Sequence, residues 1–74
     1  MFFSANLKVY TMFKLYHYEV GKSDRFLIGR YKNIEDVLKV CKDFEHWENF
    51  VRIDDYDWVK RKDGKVVEQL SIVI

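Results

Sequence analysis

The spacing of apolar side chains along this chain changes twice. From Leu7 to Val20 the residues alternate, with Leu7, Val9, Phe13 and Leu15 on one side and Tyr10, Met12, Tyr16 and Tyr18 on the other. That is the period of two a β-strand imposes. Tyrosine pairs an apolar ring with a polar tip, so the second side reads as half-covered and not plainly solvated. Gly21-Lys22-Ser23-Asp24 reads as a turn, and Arg25 to Tyr31 as a returning strand. Gly29 within it marks a bulge or a close backbone approach.

The period then becomes helical. Asn33 stands where an N-cap belongs, Glu35 and Asp36 follow in the first turn, and Ile34, Val37, Leu38, Cys41 and Phe44 form one apolar stripe. Glu35, Lys39, Lys42 and Asp43 occupy the opposite side. Val40 and Trp47 widen the stripe. No glycine or proline fixes the end of this helix, which is expected to fray between Phe44 and Glu48. Phe50 to Ile53 reads as a short extended piece, broken by Asp54-Asp55.

From Tyr56 to Ile74 the period of two returns, in two runs joined by Asp63-Gly64, a strong hairpin signal. A two-residue loop would set Arg61 against Val66 and Trp58 against Gln69, mixing apolar and polar side chains on both faces. A three-residue loop, Lys62-Asp63-Gly64, with Gly64 in a bulge, sets Lys60 against Val66, Trp58 against Glu68 and Tyr56 against Leu70. That register collects Tyr56, Trp58, Val66, Leu70, Ile72 and Ile74 on one face, and the segregation favours it. The expected fold is therefore α+β, a single domain over residues 1–74 in the order β-β-α-β-β. It is one antiparallel sheet with the helix packed on one face. Residues 1–6 are read as a flexible extension. Met12 is either an alternative start or, the favoured choice, a residue within a strand beginning near Leu7.

Length changes this picture in one respect: 74 residues give a core of marginal size. The lone cysteine, Cys41, permits no internal disulfide, and no Cys/His cluster has zinc spacing, so oligomerisation is the remaining source of extra burial. A net charge of +1 predicts no long-range preference for a polyanion, leaving only local clusters to express one. The first residues lack the basic start and apolar run of a signal peptide, and no stretch is long and apolar enough to span a bilayer. A cytoplasmic location off the membrane is expected.

Candidate chemistry is sparse. Asp54, Asp55 and Asp57, with Glu48, offer oxygen ligands but lack the glycine and distal glutamate of a calcium loop, and read as a solvated turn. His17 and His46 have no nucleophile or carboxylate at motif spacing. Cys41 lies on the apolar stripe, where cysteine packs as a small hydrophobe. No catalytic, cofactor-binding or metal residue is assigned, and an enzyme is not expected.

Two surfaces remain as candidates. Tyr10, Tyr16 and Tyr18 lie on the side of the first strand that one helix cannot also cover. They suggest a small non-enzymatic protein-interaction module, adaptor or inhibitor in type, that forms a homodimer or takes a protein partner there. The bland alternative is that the hydroxyls reach water and the rings lie under the stems of Lys14 and Arg30. The second surface is the hairpin tip: Lys60, Arg61, Lys62 and Lys65 beside Trp58 combine charge with a stacking ring, as single-stranded nucleic-acid binding requires. Lysines that protect a sheet edge would look the same, and Asp57, Asp63 and Glu68 dilute the charge.

Overall fold

The computed structural model describes residues 12–74. Strands β1 (Phe13–Glu19) and β2 (Arg25–Tyr31) precede a helix, α1 (Ile34–Glu48), and strands β3 (Val51–Arg52), β4 (Asp57–Lys62) and β5 (Lys65–Val73) follow it. All pairings are antiparallel, in one sheet ordered β2-β1-β5-β4-β3. The expected α+β order holds, and the piece after the helix adds a two-residue fifth strand. Tyr10, the extension 1–6 and the start of a strand near Leu7 lie outside the described residues.

The helix lies where its stripe requires. Val37 and Cys41 are fully buried, and Ile34, Leu38, Val40 and Phe44 pack around them against Leu15, Trp58, Leu70 and Ile72 of the sheet. Trp58, 1% exposed, is the largest buried side chain. Its indole N–H donates to Glu45 Oε2 of α1 at 2.9 Å, which ties helix to sheet without leaving a buried donor unpaired. Trp47 is instead 73% exposed, with its ring edge-on to His46.

The helix does not end by fraying. Asn49 adopts the left-handed conformation, φ 62°, and the Phe50 N–H turns back to the Phe44 carbonyl at 3.3 Å. Asparagine supplies this cap because its short polar side chain tolerates positive φ better than most residues. At the other end Asn33 is extended and its carbonyl accepts from the Asp36 N–H, but its side chain caps nothing and donates to the Asp36 carboxylate.

The β4–β5 register differs from the expected one. Asp63 and Gly64 both take positive φ, 53° and 79°, in a two-residue turn that sets Lys62 against Lys65 and Arg61 against Val66. Past that point Val67 is an extra residue in β5, so Lys60 faces Glu68, Trp58 faces Leu70 and Asp57 faces Ser71. The two-residue turn matches the strands' twist, and the bulge inserts in β5 the residue that a longer loop would have placed at the tip. Apolar and polar side chains segregate after all, but Tyr56 and Ile74 are exposed and Val66 faces Arg61, so none of the three belongs to the buried set.

A second bulge lies in β2. Leu15 pairs with Gly29 and Tyr16 with Leu27, leaving Ile28 as the extra residue, turned into the core. Gly29 combines both expected roles, since a methyl group there would come within 2.7 Å of the Tyr31 hydroxyl. Both outer strands are poor templates for a further strand: β2 is kinked by its bulge and carries Arg25 and Arg30, and β3 ends after two residues.

Candidate functional site

Strand alternation divides the sheet's side chains between two surfaces of different chemistry. Under the helix lie Phe13, Leu15, His17, Trp58, Leu70 and Ile72. Where the helix ends, this surface finishes in a cluster of polar and charged side chains. His17 Nε2 meets Glu68 Oε1 at 2.7 Å, and Lys60 Nζ stands 3.8 Å from both Glu68 Oε2 and Glu48 Oε1. The Phe50 ring, edge-on to His17, closes the group.

The opposite face reads across the strands in rows fixed by register. Arg30, Lys14 and Val73 form one row; Leu27, Tyr16, Ser71 and Asp57 the next; Arg25, Tyr18, Gln69, Val59 and Val51 the third. Arg61 lies on this face beyond Val59. Among the described residues no helix covers it. Lys14, Arg25, Arg30 and Arg61 stand against the single carboxylate of Asp57, and that carboxylate is engaged by the Ser71 hydroxyl and by the Gln69 amide at 3.2 Å. The helix has the reverse balance, since α1 carries Glu35, Asp36, Asp43, Glu45 and Glu48 against Lys39 and Lys42, with Glu45 and Glu48 turned toward Trp58 and Lys60 of the sheet. The net charge of +1 hides this separation.

Tyr16 and Tyr18 sit half-buried within the basic face, ring centroids 6.5 Å apart and tilted by 53°. The Arg25 guanidinium lies 3.9 Å above the Tyr16 ring as a cation–π stack, so the cationic side chain over that ring comes from β2 at Arg25. The Tyr18 hydroxyl beside it pushes the Arg25 pKa upward, and arginine is a cation at any working pH.

The hairpin-tip cluster is divided by the fold. Trp58 is in the core and offers no ring for stacking, and Lys60 lies on the helix side, committed to two glutamates. Only Arg61, Lys62 and Lys65 remain exposed, Arg61 as part of the basic face. Strand alternation alone separates Lys60 from Arg61 and puts Trp58 on the apolar face, so the division of this cluster was available from the sequence.

The remaining candidates are structural. Asp54 accepts from the Tyr56 N–H at 2.9 Å, and the Arg52 guanidinium donates to the Asp54 and Asp55 carbonyls, so these residues build the β3–β4 turn while Asp57 points to the other face. Among the described residues no three metal-ligating side chains converge. Cys41 is a core residue, and burial pushes its thiol up to about 12, with Glu45 adding to the shift and Arg52 opposing it. No helix among the described residues is long and apolar enough to cross a membrane. No family model matches the chain, and neither the curated proteins nor the solved structures contain a significant relative.

Proposed function

We propose that this chain is a small non-enzymatic interaction module whose working surface is the basic, tyrosine-bearing sheet face opposite the helix, and whose partner is anionic. One observation supports this above others: Lys14 is placed directly across from Arg30, with Arg25 and Arg61 on the same face and no free carboxylate among them. Like charges in direct cross-strand register cost stability. The helix side has like-charged pairs in register as well, Glu19 with Glu68 and Lys62 with Lys65, but Glu68 is met there by His17 and Lys60 and Glu19 by Lys22. Among the described residues no ion pair reaches Lys14 or Arg30, a local conflict of the kind that binding sites retain.

Chemical-shift mapping with polyglutamate and with heparin tests the proposal. Both polymers are expected to move the resonances of Lys14, Tyr16, Tyr18, Arg25 and Arg30, less so as salt rises. Shifts confined to α1 or the β3–β4 turn, or no binding at low salt, would overturn it.

Self-association through Tyr16 and Tyr18 is the second reading, favoured by the apolar area that Leu27, Val51 and Val73 add to the tyrosines. A twofold dimer would bring the four cations of each copy together. Sedimentation equilibrium separates the two: a dimer built on this face strengthens with added salt, whereas capture of an anionic partner weakens.

A further inference from the structure

Resting on that proposed surface, we infer that its partner is single-stranded nucleic acid, held with its phosphates on Lys14, Arg25, Arg30 and Arg61 and its bases against Tyr16 and Tyr18. Charge alone would suit any polyanion, and the rings decide between them. An acidic peptide has no use for two aromatic groups set among the cations, whereas every base has a π-face to lay on them. Arg25 does not remove Tyr16 from use, because a guanidinium plane stacked on a ring is itself a platform for a base.

Spacing favours an unpaired strand. The two ring centroids are 6.5 Å apart, about twice the ~3.4 Å rise per nucleotide of a stacked strand, so neighbouring bases reach both rings only when splayed apart. A duplex cannot splay its bases over a flat surface without unpairing. Recognition on this face is also largely sequence-tolerant, since the polar groups beside the rings, Ser71, Gln69 and Asp57, already bond to one another.

The decisive experiment measures fluorescence anisotropy of labelled oligothymidylate and oligouridylate with the full-length protein over a range of salt, with duplex DNA and polyglutamate as competitors. Binding is expected to fall with salt at a log–log slope of about −2 to −3, from four phosphate contacts at about 0.7 each. The double variant Lys14→Gln/Arg30→Gln should weaken binding about tenfold at low salt and flatten the slope. Tyr18→Ser should weaken it about tenfold while leaving the slope unchanged, a separation that general loss of folding could not produce. Lys62→Gln/Lys65→Gln, at the hairpin tip, should alter affinity less than twofold. If polyglutamate maps to the face but competes as well as the oligonucleotides do, and Tyr18→Ser is silent, the nucleic-acid inference is wrong while the proposed surface stands. A preference for duplex would overturn the inference too, and so would binding lost in the tip variant but kept in the face variant.

Discussion

The two faces of this sheet are made from the same five strands and obey opposite rules. Under α1 the central apolar groups are enclosed and the polar groups beside them are answered: Trp58 by Glu45, His17 by Glu68, Lys60 by two glutamates. On the other face Lys14 meets Arg30 with no anion between them, and two tyrosines stay half-covered. The first face is built for stability and the second tolerates a loss of it. On this face burial is confined to Val59 and Ser71, and the cations stand around them, so in a chain with so small a core the conflict is carried away from the main core.

The largest test of this contrast is to truncate one ring on each face. Trp58→Ala should destabilise the protein by about 3–5 kcal/mol in urea denaturation, through lost burial, a cavity and an orphaned Glu45. Tyr18→Ser, on the opposite face, should cost no more than about 1 kcal/mol. Equal losses would mean that the second face is core as well.

The buried face should also reveal itself in alkali. The thiol of Cys41 ionises near 9.0 when exposed and only near 12 in the folded protein. Below about pH 9 both states are protonated and the group contributes no difference. Above that the unfolded chain releases its proton first, so stability falls as pH rises, by up to about 1.4 kcal/mol per unit until pH approaches 12. Urea midpoints of the wild type and Cys41→Ala at pH 7 and pH 10 isolate this contribution, because the other titrating groups are common to both. Parallel pH dependences would place the thiol in contact with water.

Smaller effects come from β2. Gly29→Ala sets a methyl group against the Tyr31 hydroxyl end, which must move aside, and should cost about 0.5–1 kcal/mol, read from the same denaturation curves. Leu27→Ala, a short step along the same strand but on the other face, should cost less. The smallest change has the opposite sign. Replacing Arg30 by glutamine relieves the like-charge pair with Lys14 and should stabilise by a few tenths of a kcal/mol. The same variant should bind polyanions less well, and a gain in stability with unchanged binding would detach the cation pair from function.

Much of this contrast was legible in the residue pattern, and what was not has identifiable causes. Helical spacing from Ile34 to Phe44 and alternation from Phe13 to Tyr18 placed the stripe, Leu15 and the two tyrosines on their correct sides, because burial enforces periodicity wherever a face is apolar. The hairpin register was missed because a bulge at Val67 carries no composition signal: valine suits either strand geometry. The end of α1 was missed because Asn49 in the left-handed conformation does the work for which glycine is the usual sign. The basic face could not be assembled in advance, since Arg25, Lys14 and Arg61 come from three strands whose neighbours depend on the sheet order.

That order has a consequence for the time course of folding. β5 pairs with β4 through a two-residue turn and with β1 across a long stretch of chain, the His17 and Glu68 side chains that meet at that join being 51 positions apart. The hairpins β1–β2 and β4–β5 can each form from local sequence within microseconds, but joining them closes a long loop across the helix. The join between β1 and β5 is therefore the natural bottleneck. It is also the step that brings the tyrosines of β1 beside Ser71 and Gln69 of β5, so the candidate binding face comes into being only when the slowest pairing is complete.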